Sequence, residues 1–292
     1  MTMAAVETIA ALRQRLDEAR HRQARIGFVP TMGALHEGHA RLIARARSEC
    51  DRVVASIFVN PLQFDRPDDL ARYPRTLADD LALCESLGVD DVFVPAAAEM
   101  YPSTPQCTVE VGELADHLCG KYRPGHFRGV ATVVLKLLQI VQPHAAYFGE
   151  KDAQQLAIVR RLVTDFSVPV AIVGVPTVRE PDGLAMSSRN RRLDPCERKL
   201  ATALFRALSA AAEAIRAGQT DAAEVKRLAQ ATVPPPSKGD AAASPASPTL
   251  RIEYLEVVDP DTMQPVAQIE GPVIVAGALW VGSTRLIDNI RV

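Results

Sequence analysis

The chain has 292 residues, a formal net charge of -2, 48% hydrophobic and 23% charged residues. That is ordinary globular usage, with length for one large domain or two of average size, and Lys and Arg are scattered among Asp and Glu, which argues against a nucleic-acid partner. Five cysteines (Cys50, Cys84, Cys107, Cys119, Cys196) form no CxxC pair and are odd in number, which argues against a disulfide framework, and neither a signal-peptide pattern nor a membrane-length apolar run is visible. The expectation is a cytoplasmic protein with no membrane partner.

The N-terminal stretch from Met1 to Arg20 is polar and helix-like. From Arg25 to Val175, short apolar runs alternate with helical patterns. Ile26 to Pro30 reads as a strand, His39 to Cys50 as a helix with Leu42, Ile43 and Ala46 on one face. Val53 to Val59 is apolar almost throughout, as a strand buried on both faces should be. Leu77, Leu81 and Cys84 mark a helix, Asp91 to Val94 a strand, and Gly129 to Val141 a helix. Ala145 to Phe148 reads as a strand, Ala153 to Phe166 as a helix, and Pro169 to Val175 as a strand. This alternation predicts a parallel sheet with helices on both faces, whose ligands bind beyond the carboxyl ends of the strands. The remainder differs. Pro195 to Ala217 and Asp221 to Ala231 read as helices, and Arg251 to Val258 and Pro272 to Val281 as strands. The stretch 233–249, rich in Pro, Ala and Ser, reads as a flexible surface loop. The division expected is residues 1–177 for the parallel-sheet domain and 178–292 for a smaller α+β domain.

The strongest chemical signal is Pro30-Thr31-Met32-Gly33-Ala34-Leu35-His36-Glu37-Gly38-His39, between the first strand and the first helix of that series. Histidines three apart share one face of a helical turn. Gly38 leaves that face bare for a ligand, and the free N–H groups and dipole of a helix start favour an anion. Two imidazoles there can donate to phosphate oxygens that gain charge as pyrophosphate leaves. The other readings are a helix start with two surface histidines, or zinc; HxGH lacks a nearby third ligand and is not HExxH.

Three more segments follow strands or turns. In Gly149-Glu150-Lys151-Asp152-Ala153-Gln154-Gln155, Lys151 can neutralise phosphate charge, Asp152 can accept from a ribose hydroxyl or cap a helix, and Gln155 can bind a carboxylate or hydroxyl. A capped helix start accounts for these residues equally well. In Arg179 to Asn190, Pro181-Asp182-Gly183 is a turn. Met186-Ser187-Ser188-Arg189 then sets two hydroxyls and a guanidinium on a loop that can close on phosphates, although Ser-rich turns with Arg are common. In Asn60-Pro61-Leu62-Gln63-Phe64, Gln63 offers donor and acceptor beside apolar neighbours, which suits a small acid carrying methyl groups and a hydroxyl; an ordinary strand-to-loop turn is the other reading. Asp79 and Asp80 are candidates for the magnesium that accompanies ATP, against the plainer reading of a solvated acidic helix face. His126 lies in a Gly-rich loop that could touch substrate.

Taken together, PTMGALHEGH, NPLQF, RPGHFRG, YFGEKDAQQ and VREPDGLAMSSRN resemble the pantoate–β-alanine ligase (pantothenate synthetase) family, in the family's order across nearly the whole chain. HxGH and the Met-Ser-Ser-Arg loop are also similar to the phosphate-binding HIGH and KMSKS elements of class I aminoacyl-tRNA synthetases and related nucleotidyltransferases. The resemblance implies a Rossmann-like α/β fold of the HxGH nucleotidyltransferase type with a smaller α+β domain. It implies a homodimeric ligase that joins pantoate to β-alanine through a pantoyl-adenylate, with ATP as substrate and Mg2+ beside it. ATP would be bound by Met32, Gly33, Ala34, Leu35, His36, Glu37, Gly38, His39, Gly149, Glu150, Lys151, Asp152, Val178, Met186, Ser187, Ser188 and Arg189. His36, His39 and Lys151 would serve the chemistry, with His39 as proton donor. Gln63 and Gln155 would hold pantoate, and Gln63 would also meet β-alanine. The stretch 233–249 is longer than the family's usual connection. Two other readings are transfer of AMP onto a phosphate acceptor and a nucleotide- or RNA-binding module without catalysis.

Overall fold

Runs such as Val53-Val54-Ala55 carry no polar face, so they are stable only as strands covered on both sides. The computed structural model describes residues 3–234 and 249–292; most of the predicted loop 233–249 therefore lies outside the described residues. In chain order the elements are β1 (Ala4–Val6), α1 (Ile9–His21), β2 (Ile26–Thr31), α2 (Glu37–Glu49), β3 (Arg52–Ile57), α3 (Pro67–Ala71), α4 (Leu77–Ser86), β4 (Asp91–Phe93), α5 (Ala97–Met100), α6 (Leu118–Tyr122), α7 (His126–Val141), β5 (Ala145–Gly149), α8 (Ala153–Asp165), β6 (Ala171–Val175), α9 (Pro195–Arg216), α10 (Ala222–Ala231), β7 (Leu250–Val258), β8 (Ile274–Val281) and β9 (Thr284–Arg291). The chain divides into two compact units. The first is Met1–Gly112, Arg123–Glu150 and Ile158–Pro176; the second is Glu113–Tyr122, Lys151–Ala157 and Thr177–Val292.

The first unit holds a six-stranded sheet, order β1-β4-β3-β2-β5-β6, with every pairing parallel. The predicted parallel sheet is thus present. Strand order runs outward from β2 through β3 and β4, then returns to the other side of β2 for β5 and β6. The order reverses between β2 and β5, and in open α/β sheets ligands bind at such a point, beyond the carboxyl ends of the strands. Helix α2 buries Leu42, Ile43 and Ala46 in a core with Val29, Val53, Ala55, Val92 and Tyr147. At the opposite end of the sheet, the buried carboxylate of Asp91 takes Arg15 at 2.5 Å and Arg52 at 2.6 Å. One sequence expectation is corrected. The helix-like N-terminus splits: Ala4–Val6 adds a parallel strand beside β4, and the helix starts only at Ile9, capped by Thr8. Three residues are too few to show a period, so this strand left no mark in the sequence pattern.

The second unit contains α9, α10 and the antiparallel sheet β7-β8-β9. Helix α9 starts with a capping box, Asp194 and Glu197 bonding each other's main chains, with Pro195 at its first position. Leu204, Leu208, Val225, Leu255, Val257 and Leu279 fill this unit's core. Strand β9 was not read from the sequence. It forms a hairpin with β8 across Gly282, whose φ of +54° suits glycine. Its inward positions are Thr284, Leu286 and Asp288, and two polar residues out of three hide the alternation that identifies a strand.

Candidate active site

The sequence Leu35-His36-Glu37-Gly38-His39 leaves β2 and enters α2 through a cap made by the two imidazoles themselves. His36 is the N-cap, with extended backbone (φ -148°, ψ 179°), and His39 stands at the third helical position. The Gly38 amide donates to His36 Nδ1 at 3.1 Å, and the His36 amide donates to His39 Nδ1 at 3.2 Å. The rings lie 4.2 Å apart between centroids. A nitrogen that accepts carries no proton, so in both rings the proton sits on Nε2. The glycine between them answers a different need from the one expected. A Cβ at Gly38 would lie 2.8 Å from His36 Cε1 and 2.9 Å from Nδ1; its absence lets the ring fold back onto the helix start. The amides expected to be free for an anion are largely engaged, those of His36 and Gly38 by the two imidazoles themselves.

Upstream of the cap, Gly33 (φ +79°) and Ala34 (φ +52°) are consecutive left-handed residues. For alanine this costs about 1–2 kcal/mol. A buried carboxylate holds the arrangement: Asp80 Oδ2 accepts from the Ala34 amide at 2.9 Å, Oδ1 from the Leu35 amide at 2.8 Å, and Oδ1 also from the Thr76 hydroxyl at 3.2 Å. This revises the magnesium assignment for the acidic pair. Asp80 is 2% exposed with both oxygens bonded, whereas Asp79, its neighbour on α4, is exposed; successive helical residues point about 100° apart, so the two do not form one chelate. Among the described residues there is no cluster of three or more His, Cys, Asp or Glu side chains placed to hold a metal ion. The neighbouring Cys84 thiol is pushed up to about 12, first by burial and then by the Asp80 charge, so it is an inert core group.

Gln63 closes a short 3-10 turn, Pro61–Gln63, capped by Asn60. It is 8% exposed, and its Nε2 donates to Met32 Sδ at 3.1 Å. The residue proposed for the small acid therefore touches the segment proposed for ATP. Residues that sequence reasoning left unassigned fix it there. Asn60 Nδ2 donates to Gln63 Oε1 and to the Gly129 carbonyl, each at 3.1 Å. Tyr101, whose hydroxyl is pushed up to about 12 by burial, keeps its proton and donates to Asn60 Oδ1 at 3.0 Å. His126 opens α7 rather than lying in a loop; its Nδ1 is 2.7 Å from the Gln63 carbonyl. A Cβ at Gly129 would lie 2.2 Å from the Leu62 carbonyl oxygen, so glycine is what lets α7 approach this turn. The sequence hint was RPGHFRG, but the use of Gly129 against Leu62 is a tertiary fact.

Gly149 ends β5, the strand beside β2, and Glu150 opens the 3-10 turn Glu150–Asp152. The remaining predicted residues belong to the second unit. Lys151 follows in a 3-10 turn, its ammonium 3.9 Å from Asp152. Gln155 is half-buried on the first turn of α8. Pro181-Asp182-Gly183 forms the predicted turn, the Gly183 amide donating to the Glu180 carbonyl at 2.8 Å. Gly183 has φ +91°, and a Cβ there would collide with the Phe205 ring at 2.1 Å. The turn returns the chain so that the Met186 amide reaches the Val178 carbonyl at 3.0 Å. Ser187 caps the 3-10 turn Ser188–Arg192, and Ser188 is buried. Arg198 pairs with Asp182 at 2.6 Å and Glu180 at 2.5 Å.

A parallel sheet whose order reverses at β2, with a histidine-capped helix at that point, defines a Rossmann-like α/β protein carrying a smaller antiparallel unit. Residues 4–291 match the model of the pantoate-beta-alanine ligase family. The chain belongs to that family. It is 52% identical over 287 residues to the bifunctional pantoate ligase/cytidylate kinase of Synechococcus elongatus, an alignment covering 97% of this chain and 51% of the relative; the chain spans about half the length of that protein. The crystal structure of pantothenate synthetase from Thermus thermophilus is 47% identical, covers 99% of both chains and has a TM-score of 0.87. The pantoate-beta-alanine ligase of Francisella tularensis, solved in complex with beta-gamma ATP and beta-alanine, is 36% identical with a TM-score of 0.77, covering 99% of this chain and 97% of its own.

Two measurements check the site's geometry. In long-range nitrogen-15 spectra of the imidazoles, His36 and His39 should both show the Nε2–H tautomer; the Nδ1–H pattern in either ring would remove its cap. Asp80→Ala strands two buried amides and should lower unfolding free energy by about 1–3 kcal/mol. It should also speed hydrogen exchange at Ala34 and Leu35 about tenfold relative to amides of β3, as opening of that loop becomes easier.

Proposed function

We propose that the protein condenses pantoate with β-alanine to pantothenate in two steps, using ATP. A carboxylate oxygen of pantoate attacks the α-phosphorus of ATP; the bond to the bridging oxygen breaks and pyrophosphate leaves with the electron pair. The amine of β-alanine then attacks the acyl carbon of pantoyl-adenylate, loses a proton, and AMP leaves with the carbon–oxygen pair. The observation that carries this reading is the imidazole cap that starts α2, where His36 and His39 each accept a main-chain amide at Nδ1 and so carry the proton on Nε2. Donors fixed before reaction cost no reorganisation when charge moves onto the phosphates. Family membership and a relative solved with beta-gamma ATP and beta-alanine support the substrates.

His36 and His39 are read as donors to the phosphate oxygens, His39 also as the proton donor. Met32 to Leu35, Glu37, Gly38, Gly149 to Asp152, Val178 and Met186 to Arg189 are read as the other nucleotide-binding residues, with Lys151 and Arg189 supplying charge. Gln63 and Gln155 are read as pantoate ligands; the buried Gln63 side chain, held by Asn60 and set against Met32, supports the first. Residues 1–177 are read as the nucleotide- and pantoate-binding domain and 178–292 as the smaller one, with the difference that Glu113–Tyr122 and Lys151–Ala157 cluster with the smaller unit. Magnesium would come with ATP, held by phosphate oxygens and water; the Asp79–Asp80 pair does not suit it, because Asp80 is consumed by main-chain amides. The five cysteines are free thiols, and among the described residues no helix is long and apolar enough to cross a membrane; both support a cytoplasmic enzyme. Family resemblance supports a homodimer.

ATP–pyrophosphate exchange across a panel of small hydroxy acids tests the reading. Exchange should require pantoate, and free AMP should appear only when β-alanine is added; exchange without acid selectivity, or AMP found on a phosphate acceptor, would sink it. His39→Ala should slow the pantoate-dependent exchange by about 10²–10³-fold, the cost of one lost transition-state donor, with the fold unchanged by circular dichroism.

A further inference from the structure

Strand β9 was absent from the sequence reading, and its Asp288-Asn289 pair lies against the Lys151 segment assigned above to the nucleotide and against Arg179, in the loop that leads to Met186. Asn289 Nδ2 donates to the Lys151 main-chain carbonyl at 2.9 Å. Adjacent Asp288 takes both terminal nitrogens of Arg179, at 2.6 and 3.0 Å, and its Oδ1 also accepts the Asn289 amide at 2.8 Å. The same guanidinium donates to the Asn289 carbonyl and the Gly183 carbonyl, each at 3.1 Å, and stacks on Phe205 with its carbon 4.5 Å from the ring centre. Asn289 is thus immobilised through its own amide and carbonyl, while its side chain reaches outward to Lys151. The opposite edge of β9 is paired with β8, Asp288 to Gly277 and Asn289 to Ala276, so the strand itself is a rigid support.

We propose that Asn289 is a positioning residue that sets the Lys151 main chain, and through it the ammonium, for phosphate binding. This rests on the reading of Lys151 as a phosphate ligand. The contact is to a carbonyl, so it fixes where the lysine stands without pairing its charge. The residue is polar and half-buried on a strand whose neighbours Leu286 and Asp288 are buried. A misplacement of about 1 Å costs up to about a hundredfold in rate, which sets the scale of the effect.

The test is a double-mutant cycle on pantoate-dependent ATP–pyrophosphate exchange. The variants are Asn289→Asp, which keeps the shape and removes the donor, Asn289→Ala, and Lys151→Ala, alone and combined. In the parent background both Asn289 variants should lower the exchange kcat about ten- to a hundredfold while the pantoate KM stays within about twofold. In the Lys151→Ala background they should change the rate by no more than about twofold, the limit of additivity for independent sites. Equal loss in both backgrounds, or no loss in either, overturns the inference. If Lys151→Ala alone leaves exchange unaltered, the assignment of Lys151 fails and the inference falls with it. If Lys151→Ala slows exchange while the Asn289 variants act equally in both backgrounds, only the inference fails. Should Asn289→Ala misfold by thermal melting, the isosteric Asn289→Asp decides the matter.

Discussion

A helix start commonly offers an anion several unbonded N–H groups, and the segment entering α2 spends most of these within the protein. The Gly33 amide donates to Thr31 Oγ1, those of Ala34 and Leu35 to Asp80, that of His36 to His39, and that of Gly38 to His36. The segment therefore offers no main-chain cradle of the P-loop kind. Histidine caps the helix and keeps an N–H. Ser or Asp would cap the helix without a second ring nitrogen to carry a proton; Lys or Arg could not accept from the amides. One ring nitrogen holds the fold, which forces the proton onto the other.

That division depends on the loop beneath it. Consecutive left-handed residues turn successive N–H groups to one side, which makes a concavity suited to an anion. Here Gly33 and Ala34 make it, and Asp80 fills it. The carboxylate therefore does by occupation what a bound phosphate would do elsewhere: it gives the strained pair a partner, and the cap that follows starts from a fixed place. The same rigidity passes sideways, since Met32 just before the pair is the residue against which Gln63 is set, and Gln63 is held in turn by Asn60, Tyr101 and His126.

The strands and helices of the first unit were legible because burial on both faces writes unbroken apolar runs and α2 writes a clear 3.6-residue stripe. The segments bearing chemistry were legible as motifs after strands. Their internal geometry was not. Nothing in HEGH says that the rings bond their own helix, that Gly38 is required by the His36 ring, or that Asp80, more than forty residues on, belongs to this loop. Long-range partners of that kind leave no local period. Strand β9 was missed for a related reason: its inward face carries Thr284 and Asp288, and the partner of Asp288 is Arg179, 109 residues earlier. The Arg15 and Arg52 pairs with Asp91 were equally invisible, since each residue alone reads as surface charge.

The buried carboxylates separate by what they bond. Asp91, where β4 begins, takes two arginines; breaking such a pair leaves a buried charge and costs about 3–5 kcal/mol, so its role is stability. Asp80, among the candidate site residues, takes only uncharged donors, and no cation is drawn into the fold to satisfy it. Lys151 follows the same logic, because the protein grips its carbonyl through the neutral amide of Asn289 and leaves the ammonium 3.9 Å from the half-exposed Asp152. Arg179 is the contrast: its charge is consumed by Asp288 and its donors by two carbonyls, so it serves as a structural rivet. Lys151 and Arg179 stand at opposite limits of one choice, the first held by its main chain with Asp152 beside its ammonium, the second with its charge spent inside the fold.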